Sequence, residues 1–227
     1  MHIVTAGGRW GDGKHKGGFF MRILLLGNSF TSSHHLPQKL AALTDGQVVA
    51  HTRGGARLSE QLNPKTALGA RTQAALQHEK WDFVVLQEMS HGPLTTPERF
   101  FQSVKQLCEQ IRANGATPVL FATWAYQKDS KKLAAKGWDY DEMARALSDA
   151  YSRAARENGA VCAGVGQQFY AKAGTVSLYD TDGVHPSEAG ALLAAETLAA
   201  VIQTATKEKT RALSHNPPAP YRKEAKP

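Results

Sequence analysis

The chain has 227 residues, 42% hydrophobic and 21% charged, which is enough to bury a sizeable core in one domain and unlike a disordered or fibrous protein. Its formal charge of +7 gathers at the ends: residues 1–20 carry +2 and residues 207–227 carry +4, leaving +1 for the body. A nucleic-acid face on the folded domain is therefore not expected.

Residues 1–20 are Gly-rich and lack periodicity, and read as a flexible N-terminal extension before a domain spanning 21–206. The stretch "KHKGGFFMRILLLG" sets basic residues before an apolar run, as a signal peptide does. Arg22 interrupts that run and no small-residue cleavage site precedes Ser29, so the run is better used as a first strand. No stretch approaches the ~20 apolar residues of a membrane span. The expectation is a cytoplasmic protein with no membrane contact.

In chain order, "RILLLG" (22–27) predicts a buried strand, residues 35–44 a helix and "QVVAHT" (47–52) a more amphipathic strand. A helical pattern covers 57–78, "FVVLQ" (83–87) is again a buried strand, and 97–114 is helical. "TPVLFAT" (117–123) is the next strand. The following helix, 139–158, lines up Met143, Leu147, Tyr151 and Ala154–Ala155 at spacings of three and four. "AVCAGV" (160–165) is the fifth strand, and 187–204 the last helix. "NGA" at 114–116 and 158–160 reads each time as a helix stop followed by strand entry. The tail, 207–227, is basic and Pro-rich and is expected to be disordered. Cys108 falls in a helical pattern and Cys162 in a strand, which suggests two buried free thiols rather than a disulfide framework or a metal cluster.

Strands alternating with helices predict a doubly wound parallel sheet with helices on both faces. Ligands of such sheets sit beyond the carboxyl ends of the strands, so the residues just past each strand are the candidates. They are Gly27, Asn28 and Ser29; Arg53, Gly54 and Gly55; Gln87, Glu88 and Ser90; Thr123 and Trp124; and "LYDTDGVHPSEAG" (178–190) before the last helix. In that last stretch Asp182 and His185 are three apart on a turn marked by Gly183 and Pro186, close enough for a carboxylate to orient an imidazole. Ser187 stands where a helix N-cap belongs. Asn28 and Ser29 would also serve simply as a cap, and a D-x-x-H turn alone is weak. The signal is their convergence on one edge.

These blocks resemble the SGNH hydrolase superfamily, or GDSL-like esterases, in the branch whose first block reads G-N-S-F-T. "LLLGNSFT" is similar to the nucleophile block, "RGGARL" to the glycine block, "VVLQEMS" falls where the third block belongs, and "DGVHPSEAG" is similar to the D-x-x-H block. The resemblance implies a three-layer α/β/α, flavodoxin-like fold with a five-stranded parallel sheet. It implies Ser29 as nucleophile, His185 as general base and then acid, and Asp182 as the orienting carboxylate. It places the oxyanion donors at the Ser29 N–H, the N–H of Gly55 (with Gly54 as the alternative) and the side chain of Gln87, where the superfamily usually has Asn. The implied activity is hydrolysis of an ester, a short acyl group on a carbohydrate or other small molecule, with neither metal nor organic cofactor. The oligomeric state is not readable.

Two other readings stay open on the residues alone: a non-catalytic carbohydrate-binding protein on the same fold, and a phosphate or nucleotide binder using GNSFTSS as an anion loop, without the G-x-x-x-x-G-K-[ST] pattern. Among neighbouring residues, His34 and His35 read as surface or first-turn positions. Trp124 and Tyr126 read as cleft wall or core, and Glu88 as a hydrogen-bond partner behind the site. His91 reads as an exposed loop residue over it. The basic segment 128–136 reads as a solvated helix face rather than an attractor of anionic substrates.

Overall fold

The structure, a computed structural model, describes residues 3–4 and 20–215. A two-residue strand β1 (Ile3–Val4) is followed by β2 (Arg22–Gly27), α1 (Ser29–Ser32), a 3-10 turn over Ser33–His35, α2 (Leu36–Thr44) and β3 (Gln47–Thr52). Then come α3 (Leu58–Gln61), α4 (Ala67–His78), β4 (Phe83–Leu86), α5 (Gly92–Thr95), α6 (Pro97–Asn114) and β5 (Thr117–Phe121). The chain closes with α7 (Lys131–Lys136), α8 (Tyr140–Glu157), β6 (Val161–Ala163), α9 (Val165–Ala171) and α10 (Glu188–His215).

The strand order is β1-β3-β2-β4-β5-β6, and β3 to β6 pair in parallel around β2. Five parallel strands are those expected. The order puts a topological switch point beside β2, whose two neighbours are β3 and β4. Alternate residues of each strand face opposite layers. Ile23, Leu25, Val85 and Phe121 pack with α2, α9 and α10, whereas Leu24, Leu26, Val84 and Leu120 pack with α4 and α6. Burying each such aliphatic side chain contributes about 2 kcal/mol, so the sheet is the most strongly fixed part of the molecule. Both "NGA" stops hold: Gly115 and Gly159 have φ of 92° and 54°, the left-handed conformation that ends a helix.

Several expectations are corrected. The sheet gains a sixth strand, because Ile3–Val4 pairs antiparallel with Val48 and Val49, inside the segment read as a flexible extension. The pattern over 57–78 is two helices: Pro64 lacks an N–H and disfavours helix at Asn63, and the Thr66 hydroxyl caps the restart by accepting from the Gly69 N–H at 3.0 Å. The final helix runs on to His215, through the first nine residues of the segment read as a disordered tail. The rest of that tail, 216–227, and residues 5–19 of the N-terminal extension lie outside the described residues. By length and composition α10 is also apolar enough to cross a membrane, contrary to the sequence reading; here Ala191, Ala194, Leu198 and Ile202 pack into the core. Cys108 is buried in α6 and Cys162 half-buried in β6, both as free thiols.

Candidate active site

β2 ends in Gly27 because nothing larger fits. A Cβ there would lie 2.6 Å from Gln87 Oε1 and would run into the Thr31 hydroxyl. Asn28 then turns the chain into α1 as its N-cap, with Oδ1 accepting from the Phe30 N–H at 3.1 Å. The capping role considered for Ser29 thus falls to Asn28. Ser29 is left at the first helical position, where its own N–H has no carbonyl within the helix to reach.

Ser29 Oγ lies 2.8 Å from His185 Nε2, and His185 Nδ1 lies 2.6 Å from Asp182 Oδ2. The other Asp182 oxygen accepts the N–H groups of Val184 and His185, each at 2.9 Å. Partial burial works against ionisation, yet these hydrogen bonds and the facing imidazole hold the Asp182 carboxyl below its ordinary range. A carboxylate on Nδ1 selects the tautomer whose Nε2 accepts the serine proton. The Phe30 and His185 rings meet nearly at right angles with their centroids 5.5 Å apart, and Trp124 Nε1 donates to the Val184 carbonyl at 3.0 Å. Trp124 is itself stacked between Phe30 (4.6 Å) and Phe169 (4.1 Å), so it supports the site from the core and is not a cleft wall.

The loop carrying Asp182 and His185 is pinned at both ends. Ser187 caps α10, accepting from the Gly190 N–H at 3.2 Å and donating to the Ser177 carbonyl at 2.7 Å. On the near side His34 reaches across from the nucleophile segment. Its Nε2 lies 3.1 Å from Asp180 and its Nδ1 3.2 Å from Glu188, while Lys39 Nζ bonds Glu188 at 2.6 Å. His34 and His35 both have left-handed backbones, with φ of 47° and 55°, which is strained for residues with a Cβ. Sequence reasoning missed this clamp. A histidine after the nucleophile carries no sign of carboxylates about 150 residues away.

The third block differs most from expectation. Gln87 is buried, and its side-chain oxygen accepts the Asn28 N–H and the Thr31 hydroxyl, each at 2.9 Å. Its amide nitrogen donates to the Glu88 carbonyl. Gln87 therefore braces the nucleophile turn, where the resemblance implied a third oxyanion donor: backbone and hydroxyl donors claim its oxygen, which fixes the amide's orientation, and one amide hydrogen goes to the Glu88 carbonyl. On the other side, the Arg53 carbonyl accepts the Ala56 N–H at 3.0 Å, closing a turn with Gly55 at φ 66°, the position where a type II turn needs a positive φ. Gly54 and Gly55 are both exposed, and Asn28, the residue before Ser29, ties the turn down by donating from Nδ2 to the Ala56 carbonyl at 3.1 Å. His91 is half-buried rather than exposed, with Nδ1 2.9 Å from the Tyr126 hydroxyl, and burial beside Lys136 and Arg57 pushes its pKa down.

Two clefts of about 740 and 690 Å³ are lined, respectively, by residues such as Gln127, Tyr140 and Tyr179, and by Leu94, Trp138 and Met143. Neither is lined by Ser29 or His185; Ser29 is half-buried, and the His185 side chain is 37% exposed. Among the described residues, no three His, Cys, Asp or Glu side chains are placed to hold a metal ion.

A hydroxyl, an imidazole and a carboxylate thus stand in hydrogen-bonded series at the carboxyl edge of a doubly wound sheet. The chain belongs to the GDSL-like lipase/acylhydrolase family, whose model matches residues 5–193, and so to the SGNH hydrolase superfamily of ester-hydrolysing enzymes. It is similar to a candidate SGNH hydrolase from Slackia heliotrinireducens, at 50% identity and a TM-score of 0.78, over 81% of this chain and 99% of that one. It shares its fold with a catalytic mutant of the acetylxylan esterase Axe2 from Geobacillus stearothermophilus (15% identity, TM-score 0.60, 83% of this chain and 96% of that one). It also shares it with a candidate arylesterase from Agrobacterium tumefaciens (20% identity, TM-score 0.58, 82% and 99%). The comparison with curated protein sequences gave no match.

Proposed function

We propose that this enzyme is a serine esterase that removes a short acyl group from a carbohydrate or other small molecule through an acyl-enzyme at Ser29. The observation that carries the reading is the series Ser29 Oγ, His185, Asp182 at 2.8 and 2.6 Å. A serine hydroxyl is a weak nucleophile on its own and needs an adjacent base. His185 Nε2 takes the hydroxyl proton as Oγ attacks the ester carbonyl. The resulting imidazolium is stabilised by Asp182. It returns the proton to the departing alkoxide as the carbon–oxygen bond breaks. Water then repeats the sequence on the acyl-enzyme and releases the acid.

The charge on the tetrahedral intermediate is met by the Ser29 N–H and by an N–H of the 53–56 turn, Gly55 or Gly54. A fold shared with an acetylxylan esterase and a candidate arylesterase supports an ester of a carbohydrate or other small molecule as the substrate. The test is hydrolysis of p-nitrophenyl acetate, with fluorophosphonate labelling read by peptide mapping. Ser29→Ala is expected to abolish turnover and His185→Ala to abolish labelling at Ser29. Equal slow turnover by wild type and Ser29→Ala would reject the reading and favour a binding protein on the same fold, and labelling at another serine would reject Ser29 as the nucleophile.

A further inference from the structure

We propose that Glu88 is a positioning residue for the oxyanion hole, its buried carboxylate fixing the 54–58 segment against the loop that follows β4. The inference rests on the esterase reading. Glu88 is 2% exposed. Its Oε2 accepts the Leu58 N–H at 3.1 Å and its Oε1 the Met89 N–H at 2.9 Å. Leu58 opens α3 directly after the turn that carries Gly54 and Gly55. That turn is therefore held at two points by buried groups: at the Ala56 carbonyl by Asn28, and at the Leu58 N–H by Glu88. Arg57 adds a third tie, Nη1 donating to the Thr96 hydroxyl at 2.8 Å.

The chemistry calls for a carboxylate. Both partners of the side chain are backbone N–H donors, so it must offer two acceptors. Glutamine has one acceptor oxygen, and its amide hydrogens would face a backbone N–H. Burial pushes the Glu88 carboxyl up, opposed by these two hydrogen bonds and by the charges of Arg57 and Arg99. Gly92 leaves the room the carboxyl needs: a Cβ there would stand 2.8 Å from Glu88 Cγ. The Glu88 N–H, in turn, donates to the fully buried Tyr151 hydroxyl at 3.3 Å.

The arrangement matters because Gln87 is engaged in bracing the nucleophile turn through its oxygen and one amide hydrogen. The hole then depends on backbone N–H groups, and such donors act only when they are held in place before charge develops. A displacement of about 1 Å in catalytic geometry can cost about 10²-fold in rate. A carboxylate that merely stabilised the fold would lower the melting temperature and leave the kinetics alone.

The experiment compares wild type, Glu88→Gln and Gly92→Ala in hydrolysis of p-nitrophenyl acetate and in inhibition by an alkyl trifluoromethyl ketone, whose adduct with Ser29 carries the oxyanion. For Glu88→Gln, kcat is expected to fall about 10- to 100-fold with KM within about threefold, and the inhibition constant to weaken by the same factor as kcat/KM. Gly92→Ala, which crowds the carboxyl without removing it, moves both in the same direction by less, and decides alone if Glu88→Gln does not fold. Lost thermal stability with kcat and inhibition unchanged overturns the assignment while leaving the esterase standing. A wild type without Ser29-dependent turnover overturns both.

Discussion

Asp182 and His185 stand on a loop with side chains 40% and 37% exposed, and the outer anchors of that loop are the His34 contacts with Asp180 and Glu188 and the Lys39–Glu188 ion pair. Gln87 and Glu88, which brace the nucleophile turn and the glycine turn, are 1% and 2% exposed and bonded almost wholly to backbone groups. The two halves of the site are thus held by different means. An exposed ion pair is weakened by water and salt and can open cheaply. A buried polar group with every partner satisfied is costly to disturb, since each orphaned donor costs about 1–3 kcal/mol. In the proposed reaction, the half that moves protons keeps access to solvent, while the half that must not move is sealed.

The sharpest way to break the comparison is at the reacting groups. His185→Ala is expected to reduce kcat on the order of 10⁶-fold, and Asp182→Asn, which presents the wrong hydrogen-bond pattern to Nδ1, about 10⁴-fold, both read in single-substrate kinetics. Neither should shift the melting temperature by more than a few degrees, because both side chains are part-exposed.

The buried half should behave in the opposite way. Gln87→Leu leaves the Asn28 N–H and the Thr31 hydroxyl without an acceptor and should cost about 2–4 kcal/mol in urea unfolding, with activity falling only as far as the nucleophile turn shifts. If Gln87→Leu kept full stability but lost activity outright, Gln87 would be a donor after all.

Acid sharpens the comparison further. The folded-state pKa of Asp182 is depressed below its ordinary 3.8, so the ionised group contributes stability above that value and loses the contribution as the pH falls through the folded value. The stability difference between wild type and Asp182→Asn should therefore be flat near neutrality and shrink only below about pH 4. A difference that faded between pH 7 and pH 5 would show that the carboxylate is not held ionised by its loop.

The smallest effect is expected at the outer clamp. Lys39→Gln should lower kcat about threefold or less, and the difference should vanish in 0.5 M salt. A salt-independent loss of a hundredfold would mean that the clamp, and not the loop's own hydrogen bonds, aligns His185 with Ser29.

Much of this was legible in the amino-acid order because it is local. The apolar runs at 22–27, 83–87 and 117–123, the helix stops at Gly115 and Gly159, the Asp182–His185 spacing and the Ser187 cap each depend on residues a few positions apart, and backbone sterics and solvent exclusion act at that range. Pro64 was also readable, and the long apolar period across it hid the break between α3 and α4.

The order of residues could also rank Ser29, Asp182 and His185 as candidates, since all three fall at strand or helix ends on one edge. What it could not supply is which polar partner each buried group takes. Gln87 could face the substrate or the Asn28 N–H, and only the pairing of β2 with β4, which brings residue 87 against the turn after Gly27, puts its oxygen on two donors. His34 meets Asp180 and Glu188, and Glu88 meets Leu58, across 146, 154 and 30 residues of chain. Local preference decides where strands and helices begin and end; the satisfaction of buried hydrogen bonds is decided only when distant segments are brought together, because a donor cannot choose an acceptor it has not yet met.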